Sequence, residues 1–344
     1  RKYWLMVTVL QIKQMVSQAY FGDAVMTETD YSRGRKLFIA EGCCANGVVT
    51  LTTGAFLSGY AGYLGADDSL NGIIGSIPVL LCTLQMFSSV VLENLRQKKF
   101  LIACFALIHR LLLSSVFFVP LVVEDNAGRL VAVVAIYVVA HFFGAFIGTG
   151  TGSWLLSLVP ENIRGTYLGR KDAFAFAFTT VLSLLCGRIL DWMRGAHQDL
   201  LGYYIIGLIV LSTAFTDFWC LSSIREPVQE THRRSLKAAV IDPLLDREYR
   251  KVIGLYMFWN LALQVAGPFF SVYMVTGLSL DYTYITFLGL IASSVRVVAA
   301  CFWGRLADAT SWLHAARCSM LLLGLVHTSW LFMTPATCLI LQPI

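Results

Sequence analysis

The chain has 344 residues, 57% of them hydrophobic and 14% charged, with a mean hydropathy of +0.68. Soluble domains sit nearer about 45–50% apolar and about 25% charged, and a water-soluble fold of this size has no interior large enough for the excess. Composition therefore excludes a soluble globular protein, and a net charge of +5 gives no case for nucleic-acid binding.

Taken in chain order, residues 1–35 come first. Their apolar stretch is interrupted by Lys13 and is too short to span, so the segment reads as cytoplasmic, with the character of an interfacial helix. No cleavable signal pattern follows it. Apolar runs of about 20 residues or more then recur, each long enough for a hydrocarbon core about 30 Å thick. They predict helices over residues 38–63, 70–92, 100–123, 130–157, 167–190, 201–223, 252–276, 284–303 and 313–333, with a tenth starting near Ala336. The runs lack strand alternation, so they fit helices and not an outer-membrane barrel. The expected fold is all-α, a polytopic membrane helix bundle.

Lys and Arg set the orientation. Arg1, Lys2, Lys13, Arg33, Arg35 and Lys36 precede the first span, and basic clusters such as Arg96, Lys98, Lys99 and Arg233, Arg234, Lys237 follow the even-numbered ones. The opposite loops hold little more than Arg129 and Arg194. The positive-inside rule then puts the N-terminus and the even loops in the cytoplasm. A Ser235→Cys variant is expected to resist thiol labelling from outside intact cells; ready labelling would reverse the orientation.

The nine cysteines include no CxxC and no external pair, so they read as small apolar residues and not as metal ligands or disulfides. The longest polar stretch, 225–251, separates six spans (36–224) from the remainder (252–344), as in transporters built from paired repeats. Two loops answer each other. Gly304 and Asp308 in GRLAD follow the eighth span, and Ser89 and Glu93 hold the same spacing after the second, 215 residues earlier.

These residues carry a resemblance. GRLAD at 304–308 resembles the loop motif of the major facilitator superfamily, although Ala309, Ser311 and Trp312 replace the basic residues and Gly that usually follow. VPENIRG at 159–165 resembles its Pro-x-x-x-Arg-Gly loop, and IREP at 224–227 occupies the site of its Pro/Glu/Arg-rich loop. The likeness covers everything after residue 36. It implies two six-helix halves, with the second incomplete here. The 215-residue offset, added to the end of the sixth span near Ile224, places the end of a twelfth span near residue 439; a ten-span protein is the alternative. It implies a monomeric secondary transporter of the plasma or inner membrane for a sugar-like or drug-like solute, working by symport or antiport coupled to H⁺ or Na⁺, with simple facilitated diffusion left open.

The resemblance also implies which helices line the cavity. Asn46, His141, Asn260 and Gln264 then fall at mid-depth on cavity helices, and Arg296 on a flanking one; these are the candidate substrate contacts. Interhelical bonding would use the same residues. Asp308 and Glu93 become gating carboxylates, with Gly304, Arg305, Arg164 and Gly165 around them, although charges at a helix end also suit a solvated boundary. Independent of any family, Arg110 lies about 11 residues into the third span, roughly 16 Å along a helix. The resemblance makes its helix a supporting one, where it is expected to pair with an acid or with backbone carbonyls; Glu41 and Asp217 are the other buried charges. No HExxH, Walker-type motif or paired carboxylate marks an enzyme, and no cofactor or metal is expected. A receptor or a lipid scramblase on the same fold is the alternative.

Overall fold

The computed structural model describes residues 26–95, 97–227, 236–272, 282–329 and Phe332. Among them every regular element is helical. We label the α-helices α1 (Glu28–Thr52), α2 (Gly54–Tyr63), α3 (Asp68–Cys82), α4 (Gln85–Glu93), α5 (Lys99–Ser115), α6 (Asn126–Leu158), α7 (Arg164–Gly195), α8 (Asp199–Ser223), α9 (Leu236–Leu245), α10 (Arg247–Val272), α11 (Tyr282–Ala309) and α12 (Trp312–Ser329).

α1 begins ten residues before the expected start at 38, because Thr27 and Asp30 form a reciprocal capping box that satisfies the first orphan donors. The first span is also not one helix. Thr53 is extended and Gly54 takes φ +55°, a left-handed conformation that glycine adopts without steric cost. The break frees backbone groups at membrane depth, which lipid does not tolerate unless protein covers them. Tyr137 on α6 covers one, donating its hydroxyl to Thr52 O at 3.0 Å. The second span is divided too. Pro78 removes a donor within α3, and the chain turns through Thr83 and Leu84 before α4.

Among the described residues, seven helical segments are long and apolar enough to cross a bilayer: Glu28–Tyr63, Asp68–Leu92, Lys99–Leu121, Asn126–Leu158, Glu161–Gly195, Asp199–Ser223 and Leu288–Ala309. Nine were expected. The other two expected runs, 252–276 and 313–333, extend beyond the described residues and are helical where described. α10 opens with Arg247, Glu248, Arg250 and Lys251, and its side chains are described only through Ala262; α12 carries His314, Arg317 and His327. The expected tenth span and residues 1–25 lie outside the described residues.

The described helices gather into two compact units, the first drawn from residues 26–161 and 181–227 and the second from residues 162–180 and 236–329. In the first unit α8 packs on α1 and α5, and α6 packs on α3, α4 and α5. Its apolar centre includes Leu51, Tyr60, Phe117, Tyr137 and Ile206, all essentially without exposed surface. Polar groups there are matched locally: Tyr60 donates to Val116 O at 2.9 Å and Ser114 to Gly207 O at 2.9 Å. In the second unit α11 packs on α12 and α9 on α10.

Candidate functional site

Four polar constellations stand out among the described residues, three in the first unit and one in the second.

The deepest is ionic. Arg110 on α5 puts Nη1 2.8 Å from Asp217 Oδ2 on α8, and Nη2 3.7 Å from Glu41 Oε1 on α1. Residue exposures of 3%, 0% and 5% take all three out of contact with solvent. Helical side chains lean toward the N-terminus of their own helix, so Arg110 reaches back toward the Lys99 end of α5. That brings the guanidinium to Asp217, which lies six residues before the Ser223 end of α8. The expected acid partner of Arg110 is therefore present, and it is two acids instead of one. Cys44 and Cys220 are close neighbours.

Beside it, at mid-depth, sit three rings. His141 packs on Tyr137 with centroids 4.3 Å apart and meets His109 edge-on at 5.5 Å. His141 Nδ1 lies 3.1 Å from Tyr137 O; a carbonyl only accepts, so Nδ1 carries the proton and Nε2 is left as an acceptor. The His109 ring lies against Gly144, where any side chain would meet its Nε2 at 3.0 Å. Tyr137 and His109 escaped the sequence reading as site residues; a His-Arg pair in mid-span was the available signal for the second.

The expected cavity residues are each described by their own surroundings. Asn46 is exposed and donates to Gly42 O at 2.8 Å, and Asn260 donates to Tyr256 O at 2.8 Å, so each spends a donor on its own helix. The side chains of Gln264 and Glu93 lie outside the described set. Arg296 is exposed and stacks over Phe176 at 5.4 Å, a cation–π contact.

The third constellation lies in the second unit, where α7 begins. Gly165 N–H donates to Asp308 Oδ1 at 2.6 Å and Thr166 N–H to Oδ2 at 2.5 Å. The first N–H groups of a helix have no internal partner and carry the positive end of its dipole, so a carboxylate from α11 is a fitting cap. It reaches them because glycines let the two backbones touch. A Cβ on Gly304 would collide with the Gly165 carbonyl, and one on Gly169 with the Ala300 carbonyl. Gly304 is buried, Arg305 exposed and Arg164 half-buried at the same crossing. A cavity of about 370 Å³, lined by Gly165, Asp172, Trp303, Trp312 and Ser319 among others, opens beside it.

The first unit uses the same device where α5 begins. Glu226, just past α8, accepts from Lys98 N and Lys99 N at 2.8–3.0 Å. Burial raises its carboxyl above the ordinary range, against the lowering by those two N–H groups. Its neighbour Arg225 pairs with Asp30 at 3.1 Å and accepts from Trp154 Nε1 at 3.4 Å. The IREP segment thus ties down α1, α5 and α6. Glu226 was not singled out from sequence, since an acid beside a polar linker looks solvated.

No family model matches the chain, and no curated protein matches it at a significant level.

Proposed function

We propose that the chain is a secondary transporter of the major facilitator type, moving a small solute across a cell membrane by alternating access, with its N-terminus in the cytoplasm. The observation that carries this reading is the Asp308 cap on α7. By sequence α7 belongs to the first six spans and α11 to those after the 225–251 linker, so the contact joins the two stretches through two charge-assisted bonds. Such bonds are made or lost as a pair, which weights one of two states. The broken first and second spans agree with it, since discontinuous helices in transporters border the path of the solute. The solute remains sugar-like or drug-like in class, and coupling to H⁺ or Na⁺ is part of the proposal.

The test has two steps. A thermal-shift screen of the purified protein against sugars, amino acids, nucleosides and hydrophobic cations identifies a ligand, and proteoliposome uptake then measures its transport. Asp308→Asn is expected to lower uptake about tenfold or more, because hydrogen bonds to a charged group contribute about 1.5–3 kcal/mol. The loss of uptake should exceed the loss of folded protein. Uptake at the wild-type rate by a well-expressed variant removes the gating role. His141→Ala or Gln264→Ala is expected to weaken apparent affinity about two- to twelvefold, the loss of one neutral hydrogen bond. Unchanged affinity in both places the solute elsewhere.

A further inference from the structure

We infer that Asp217 is a proton-binding site: the buried cluster of Glu41, Arg110 and Asp217 holds one exchangeable proton, carried on Asp217. This goes beyond transport and does not depend on it.

The argument starts from who faces whom. α8 packs on α1, on α5 and on the 3₁₀ segment Val116–Leu121. α1 presents Glu41 and Cys44, α5 presents Arg110, α8 itself adds Cys220, and the 3₁₀ segment contributes no titratable side chain. One guanidinium is thus divided between two carboxylates. Arginine keeps its proton under all ordinary conditions, so its single positive charge is fixed. Taking a carboxylate out of water costs several kcal/mol unless both charge and hydrogen bonding are restored.

Asp217 is the acid for which restoration is incomplete. It has no exposed surface, and neither of its oxygens accepts a hydrogen bond among the described residues. The 2.8 Å approach of Arg110 Nη1 is close but off-line, so it counts as ion pairing and not as a directed bond. Glu41 stands farther from Arg110 and has further interactions of its own. A proton added to Asp217 from water converts its carboxylate to a neutral carboxyl. Arg110 is then left to Glu41, and the like-charge repulsion between the two acids ends. Loss of that proton returns the repulsion to the seam where α8 meets α1 and α5. Protonation therefore sets how tightly this seam packs, which is a two-state lever within one unit of the fold.

The test is infrared difference spectroscopy on the whole chain reconstituted in lipid, comparing neutral with strongly alkaline buffer in H₂O and D₂O. The wild type should show a protonated-carboxyl C=O band at neutral pH that shifts in D₂O and vanishes in alkali. The band should be absent in Asp217→Asn. It should also disappear at neutral pH in Glu41→Gln, where Arg110 is free to pair with Asp217 alone. A wild type without the band overturns the inference before any variant is made, and so does a band that survives unchanged in Asp217→Asn.

Discussion

Arg110→Ala is expected to be the most destabilising single substitution in the first unit. The residue is buried, and its removal leaves Glu41 and Asp217 facing each other without the guanidinium between them. Removing one partner from a buried ion pair costs about 3–5 kcal/mol, because the remaining charge is neither solvated nor compensated. Net stabilities are about 5–15 kcal/mol, so this is a large share of the total. The expected result is low yield of folded protein and a clearly lowered melting temperature in detergent. Arg110→Lys should rescue only part of it, since one ammonium cannot address two carboxylates as a planar fork does. The informative comparison is the triple change Glu41→Leu, Arg110→Leu and Asp217→Leu. Replacing a whole buried ionic cluster by apolar residues is often neutral or stabilising. The triple variant should therefore recover stability that Arg110→Ala loses. If Arg110→Ala melts with the wild type, the cluster is not a coupled buried unit and the ion-pair distances overstate it.

The limits of legibility in the sequence follow from range. Hydropathy is local, so the long apolar helices could be read within a few residues at most ends, and buried Arg110, Glu41 and Asp217 stood out because charges at membrane depth are costly. What could not be read was which acid met the arginine. The three residues are 69 and 107 positions apart in sequence, and no local pattern links them. The helix breaks were equally hidden. A Thr-Thr-Gly run is ordinary within a membrane helix, and only Tyr137 donating to Thr52 O shows why the chain can afford to open there. The local bonds of Asn46 and Asn260 were hidden as well: each donates to a carbonyl four residues back on its own helix, which hydropathy alone does not show. The GRLAD motif pointed to Asp308, but that its carboxylate caps Gly165 and Thr166 at the start of α7, 142–143 residues away in sequence, is a long-range pairing that no local pattern shows.

The second large effect is expected at that crossing. Gly304→Ala should lower uptake at least as far as Asp308→Asn, about tenfold or more, although it adds one methyl and removes no hydrogen-bonding group. The added Cβ would meet the Gly165 carbonyl carbon at 2.9 Å and Gly169 Cα at 3.2 Å, with the carbonyl oxygen nearer still. These are backbone atoms, which cannot rotate aside as a side chain would, so α7 and α11 must separate. Moving apart by even about 1 Å stretches hydrogen bonds beyond the roughly 3.2 Å at which they hold well. Asp308 then loses Gly165 N and Thr166 N together. Gly165→Ala acts on the same atoms from the other side, since its Cβ would press on Gly304 O and on Asp308 Oδ1. Gly324→Ala and Gly289→Ala are the controls, as nothing lies within 4 Å of a Cβ at either position. Both lie in helices, where alanine is preferred over glycine by about 1 kcal/mol, so they should be neutral or stabilising. The decisive measurement is the double variant Gly304→Ala with Asp308→Asn, assayed by uptake into proteoliposomes. If both changes break one contact, the double variant should be no worse than the more damaged single one, a departure from additivity that marks shared partners. Fully additive losses would mean that the glycine seam and the carboxylate cap act separately, and that closing this end does not depend on their acting together.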